Sequence, residues 1–157
     1  TEALRAGQDL TAFTARISSR LDIKATVLPM THDPVATWVE TLQGETLPFQ
    51  RWLVQRRGPR VSRVWREGQG KATAHVLAAL ENADVVVLAP SNPYVSLLPI
   101  LELPGVAARV AVKPVVAVSP IVGGQAVKGP LAHMLQTLAS VEPSAEAVAT
   151  LVARYGK

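Results

Sequence analysis

Two short polar loops carry the residues with the clearest chemical potential. The first, Ala89-Pro90-Ser91-Asn92-Pro93-Tyr94-Val95-Ser96, offers Ser91, Asn92 and Ser96 in a segment that Pro90 and Pro93 stiffen. The second runs from Ser119 to Pro130 and carries Gly123, Gly124 and Gly129, with Lys128 just ahead of a helical pattern. Hydroxyl and amide groups, glycines that let a ligand approach the backbone, a lysine and the free amides of a starting helix together suit an anion, with phosphate the natural guest. A helix beginning near Ser96 would aim its amides at that guest. The plainer reading of Ser91, Asn92 and Ser96 is that they cap and turn the chain. The GxxxxGK[ST] order of a Walker A loop is absent, and so are GxGxxG and GxSxG, which leaves a nicotinamide cofactor and a serine hydrolase without support.

The elements that must hold these loops read as a βαβ unit. Val85–Ala89 and Val115–Val118 are uncharged and rich in β-branched residues, the pattern of strands buried on both faces of a parallel sheet. The 25 residues between them allow a crossover helix, so both loops lie at the carboxyl ends of the strands, where open α/β sheets bind ligands. Upstream, Leu10, Phe13, Ile17 and Leu21 predict an amphipathic helix packed on a sheet, with Asp9 or Thr11 as N-cap, and Ala25–Leu28 reads as a short strand closed by Pro29. Downstream, Ala72–Asn82 reads as a helix. Leu131, Met134, Leu135 and Leu138 predict another behind Pro130, and Pro143-Ser144 starts a last one. The stretch Trp38–Gly68 differs in character: it holds all three tryptophans, a Gly44 turn and an alternating Val61–Trp65 run, and Phe49–Val54 continues it as a strand or a looser aromatic segment. The expected fold class is therefore α/β, a Rossmann-like three-layer parallel sheet, with residues 1–35 and 69–157 as its core and 36–68 as a small β-rich insertion.

Composition narrows the class of function. With 157 residues and 48% hydrophobic content the chain is domain-sized and can bury a core. Cysteine is absent, which removes disulfides, thiolate metal sites and cysteine nucleophiles. No apolar run approaches the roughly 18 residues of a membrane span, and no signal peptide opens the chain, so no membrane and a cytoplasmic location are expected. Arg51, Arg56, Arg57, Arg60, Arg63, Arg66 and Lys71 stand against Glu67 alone, a local excess of six within a formal net charge of +4. A solvated strand face or hairpin rim is the plain reading of that run, an anionic small ligand the next; no RNA-type aromatic motif or helix-turn-helix spacing points to nucleic acid. His32, His75 and His133 are scattered, and only His32-Asp33, in a loop before Pro34, has a setting for metal or acid-base work. No residue pattern assigns a catalytic group or a metal ligand.

The loops also resemble a family. APSNPYVSLLPILELPGV followed by PVVAVSPIVGGQAVKGP, with TEALRAGQDLTAFTARI, VLPMTHDPVATWVET and LPFQRWLVQRR upstream in the same order, is similar to the 2-phospho-L-lactate transferase family of coenzyme F(420) biosynthesis. The resemblance implies a transferase that moves a phospholactyl or phosphoenolpyruvyl group from a GDP-activated donor to the deazaflavin Fo, releasing GMP, with Mg2+ as cofactor and a homodimer as the working form. It places Ser91, Asn92, Pro93, Ser96, Ser119, Gly123, Gly124 and Lys128 around the nucleotide diphosphate. Met30, Asp33, Thr37 and Trp38, in the segment matching MTxDPVxT, would lie on the deazaflavin side. Family members open with a Gly-Gly-Thr-Gly-Gly type loop and carry further α/β structure after the position of Tyr155, so the sequence looks like the middle and later part of that fold. A non-catalytic regulator that binds a nucleotide or nucleotide sugar, from the same superfamily, is the alternative.

Overall fold

The computed structural model describes residues 9–155. Helix α1 spans Leu10–Arg20, and Asp9 caps it by accepting the Thr11 amide at 3.2 Å. Its apolar stripe does not reach a sheet as expected: Ile17 is 40% and Leu21 67% exposed, and Ser18 is its one buried residue. The predicted strand at Ala25–Leu28 is also absent. A strand needs a partner for its backbone groups, and this segment instead runs along the surface to Met30, whose carbonyl accepts the Thr73 amide at 3.1 Å beside a single bridge between Thr31 and Ala72.

Strands β1 (Ala36–Thr41), β2 (Thr46–Pro48) and β3 (Val61–Glu67) form an antiparallel sheet in the order β2-β1-β3. Register follows from side-chain alternation. Val39, set opposite Leu47 and Val64, faces inward with Val61, while Trp38 lies opposite Trp65 on the other face and stacks on it at 6.4 Å. Phe49–Val54 is a helix, α2, and not the strand or looser segment expected. Phe49, Trp52 and Leu53 are spaced at i, i+3 and i+4, which puts all three against the inner face of the sheet. That cluster is completed by Met134 from a later helix.

Helix α3 (Ala74–Asn82), capped by the Thr73 hydroxyl, leads into β4 (Val86–Leu88). The crossover then comprises a π-helical turn (Pro93–Leu97), α4 (Leu98–Leu101) and α5 (Val106–Val110), returning through β5 (Val115–Ala117), which pairs parallel to β4 with Val87 opposite Val116. Mixed α/β class with parallel strands therefore holds. Burial on both strand faces does not. Leu88 and Val86 pack on Leu101, Leu103, Val106, Val110 and Val152, whereas Val87 and Val116, on the opposite face, are 58% and 53% exposed. All the helical partners in that cluster lie on one side of the pair, so among the described residues the second side is left open. Val87→Thr, which keeps a β-branched side chain on the open face, should shift stability by no more than about 0.5 kcal/mol in urea unfolding.

The chain ends in a hairpin of β6 (Ile121–Val122) and β7 (Gln125–Ala126), then α6 (Leu131–Leu138) and α7 (Ala145–Ala153), the last capped by Ser144. Ile121, Leu131, Leu135 and Val148 form its core. Tyr94 packs against both this cluster and the one around Trp52, which joins the βαβ unit to the antiparallel sheet.

Candidate functional site

The first loop begins where β4 ends. Asn92 starts the helical segment: its Oδ1 accepts the Tyr94 amide at 3.0 Å, and its Nδ2 donates to the Met134 sulfur at 3.2 Å. Its carbonyl accepts the amides of Ser96 (3.0 Å) and Leu97 (3.4 Å), the second in the i to i+5 pattern of a π turn. Helical structure therefore opens at Pro93, three residues before the point expected, and the Ser96 amide is committed to Asn92 rather than free for an anion. Pro93 is buried, while Ser91 and Ser96 line a mainly apolar cavity of about 350 Å³ with Val86, Leu97 and Val110.

The second loop is tied to the first by the parallel pair, Val118 donating to the Leu88 carbonyl at 3.0 Å. Ser119 Oγ accepts the Ile121 amide at 3.1 Å and turns the chain into the hairpin. Gly123 and Gly124 are the two turn residues, with φ of 57° and 76°. Both torsions are positive, as a two-residue type I′ turn requires and as glycine adopts at no steric cost. They sit at the exposed tip, outside the cavity that the two loops share. That cavity, about 290 Å³, is lined by Asn92 and Pro90 from the first loop and by Val118, Ser119, Pro120, Val127 and Lys128 from the second, with Leu131 beneath. Lys128 makes no hydrogen bond or ion pair among the described residues. The structure thus brings Asn92, Ser119 and Lys128 together, an amide, a hydroxyl and an uncommitted ammonium at the carboxyl ends of two parallel strands.

The second predicted group does not assemble into one site. Met30 packs into the core beside Leu103, Thr37 is half-buried in β1, and Trp38 lies on the outer face of the sheet against Trp65. Asp33 lines a different cavity, of about 470 Å³, with Arg66, Lys71 and Glu102. Its Oδ2 accepts the Lys71 amide at 2.7 Å and the Thr31 hydroxyl at 3.3 Å. Glu102 is held by Arg66, by the Tyr155 hydroxyl at 3.2 Å and by Arg154 at 3.6 Å, and burial holds the Arg66 guanidinium below its usual pKa. Glycines shape the wall: a Cβ on Gly68 would stand 2.4 Å from the Pro34 carbonyl oxygen. The two cavities lie at opposite ends of the Pro93–Leu101 helical segment. Arg66 and Glu102 were not singled out from the sequence as site residues, because they lie on separate elements, β3 and the end of α4, that meet only in the fold.

The histidines separate by environment. His32 Nε2 lies 2.8 Å from the Thr11 hydroxyl and 3.1 Å from Asp9, so it is tied to the start of α1 and not to Asp33. His133 contacts the Gly58 carbonyl through Nε2 at 3.1 Å, an arrangement in which Nε2–H donates, while its Nδ1 is buried without a partner among the described residues. Burial lowers its pKa below 6.5, the bond to Gly58 opposes this and the nearby Arg60 charge adds to the lowering. Because the folded chain refuses a proton that the unfolded chain accepts, this histidine destabilises the fold progressively as pH falls below about 6.5. The urea midpoint should drop between about pH 7.5 and pH 5.5, and His133→Gln should flatten that drop; an unchanged slope would show that other groups set it.

Among the described residues no three His, Cys, Asp or Glu side chains gather to hold a metal ion, and no helix is long and apolar enough to cross a membrane. Fold and site define an α/β protein whose polar loops converge at the carboxyl ends of a parallel strand pair, the edge at which open α/β sheets bind ligands. The family described as 2-phospho-L-lactate transferase CofD matches residues 1–154, and the chain belongs to that family. A 2-phospho-L-lactate transferase from Methanosarcina acetivorans is 43% identical over 136 residues, covering 85% of this chain and 44% of its own length. A phosphoenolpyruvate transferase from Thermobifida fusca is 40% identical over 155 residues, covering 95% and 48%. The chain thus spans about half the length of these curated relatives. Among solved structures, a protein from Bacillus halodurans aligns with a TM-score of 0.60 at 22% identity, covering 86% of this chain and 44% of its own, which supports the fold. Another structure, of a UPF0052 family member from the same organism, aligns at 0.55 with 24% identity over 71% of this chain and 36% of that one.

Proposed function

We propose that this chain supplies the donor-binding part of a transferase that moves a phospholactyl or phosphoenolpyruvyl group from a GDP-activated donor to the deazaflavin Fo. The observation that carries the reading is the shared cavity of Asn92, Ser119 and Lys128. Relatives named for phospholactate transfer and for phosphoenolpyruvate transfer match the chain about equally well, which supports the reaction class and leaves either donor open. In the transfer, the acceptor hydroxyl attacks the phosphorus that carries the lactyl or enolpyruvyl ester oxygen and gives up its proton to solvent. A new P–O bond forms, the bridging P–O bond breaks and GMP leaves. The protein's part in such a step is to position the groups and neutralise charge. Lys128 would offset the diphosphate, while Asn92 and Ser119 border the space it fills.

Magnesium fits these residues poorly. The shared cavity has no carboxylate in its lining, and Mg2+ held by protein ordinarily takes one or two. The acceptor belongs, on this reading, to the Asp33 cavity, whose Lys71 and Arg66 neighbours give it a mixed charge. Calorimetric titration with GDP, followed by Fo, tests the proposal. Saturable binding of GDP supports the donor assignment; no heat up to millimolar GDP overturns it.

A further inference from the structure

The arginine run between Arg51 and Arg66 is not one uniform solvated face. Arg51 bonds to Gln55 at 3.1 Å, Arg56 pairs with Glu45 at 2.6 Å, and Arg60 reaches Gln136 at 3.5 Å. Arg63 lies over the Trp65 ring at 5.2 Å, and Arg66 pairs with Glu102. Arg57 alone of the six arginines has no hydrogen bond, ion pair or ring contact among the described residues. It is also backbone-strained: its φ is +57°, in the left-handed region where a helix end ordinarily takes glycine. An exposed, unpartnered arginine in such a position gives the fold nothing that glycine would not give better.

Its surroundings are fixed, and they pack against the end of the loop that carries Lys128. The Trp52 indole donates to the Pro59 carbonyl at 3.0 Å, the Gly58 amide donates to the Trp52 carbonyl at 3.0 Å, and the Gly58 carbonyl meets His133. A Cβ on Gly58 would stand 3.6 Å from Pro130 Cβ. Pro130 caps α6 and stands two residues beyond Lys128, so the loop that carries Arg57 is packed against the loop that carries Lys128, another uncommitted cation. Both cations have long side chains, and no carboxylate lines the cavity beside them.

We propose that Arg57 is a second cationic arm of the anion site, binding the terminal phosphate of a nucleoside diphosphate. Guanidinium suits that task because its planar donors engage phosphate oxygens in pairs, whereas Lys128 acts as a point charge. The inference rests on the donor-site reading above and adds to it a residue from the antiparallel sheet unit, outside both strand-end loops.

Binding of GDP and of GMP to the 157-residue chain, compared with Arg57→Gly, tests it. Glycine relieves the positive φ, so the variant should unfold at the same urea concentration or higher, and any loss of binding is not a loss of fold. GDP affinity should fall by about fivefold or more while GMP affinity stays within about twofold, and Arg57→Lys should recover part of the loss. Equal losses for GDP and GMP, or no loss for GDP, would overturn the assignment of Arg57 while leaving the strand-end site standing. Failure of the unsubstituted chain to bind GDP would overturn the donor-site reading itself, and this inference with it.

Discussion

Replacing Trp52 with alanine should cost about 3–5 kcal/mol of stability, the range of large aromatic deletions from packed cores. The residue is 0% exposed and touches the inner face of the antiparallel sheet through Val39, Leu47 and Val61, and α6 through Met134. Phe49 lies against it at 5.7 Å, and its ring fills the space beside Gly58. Deletion would remove the apolar contact, leave a cavity bordered by strands that cannot collapse inward, and strip the Pro59 carbonyl of its donor at 3.0 Å. Against the 5–15 kcal/mol that is typical of a whole domain, a loss of this size leaves much of the population unfolded at room temperature or close to it. Urea unfolding followed by far-UV circular dichroism measures it, with Trp52→Phe as companion. Phenylalanine keeps most of the apolar area and lacks the N–H, so it should lose far less. A Trp52→Ala cost below about 1 kcal/mol would mean that α2 and its loop are not anchored through this ring.

Trp52 also shows where the sequence was legible and where it was not. Caps and amphipathic spacing are local, and they located α1, α6 and α7 through Asp9, Pro130 and Ser144 and α3 through its apolar spacing. The uncharged valine runs located the parallel pair for the same reason. Phe49–Val54 was harder, because six residues with two aromatics suit a strand as well as a single helical turn and a half, and only contact with Val39 and Met134 decides between them. Periodicity could not show that Val87 and Val116 stay open, since a buried and an unpartnered apolar face have the same sequence. Nor could it show that Ala25–Leu28 would find no neighbouring strand.

The candidate site divides along the same line. That Asn92, Ser119 and Lys128 would meet was readable from topology, because parallel strands place their following loops side by side. Ser96 was misjudged by a shift of three residues in the helix start, a boundary set by the Asn92 cap and the π turn. Gly123 and Gly124 read as room for a ligand, while the hairpin gives them a turn of their own. Arg57 was visible in the basic run but indistinguishable from its neighbours until each of them was seen with a partner.

Lys128→Ala should weaken GDP binding by about 1–3 kcal/mol, or roughly fivefold to 150-fold, the scale of a hydrogen bond to a charged group. The size depends on what else neutralises the diphosphate. No carboxylate borders the cavity to hold a metal, and Lys128 is the one cation that lines it, so its removal leaves only the proposed Arg57 arm to offset the diphosphate. Solvent exposure pulls the estimate toward the lower end, because water and salt screen a charge at the rim of an open cavity. The substitution should leave stability unchanged, for the same side chain has no partner in the fold to lose. Two measurements together therefore decide the matter: the dissociation constant for GDP at low and at near-physiological salt, and the urea midpoint. A loss of affinity that shrinks as salt rises, at constant stability, marks Lys128 as a phosphate-neutralising group. Unchanged affinity at low salt removes it from the site and shifts the weight of donor binding onto Arg57.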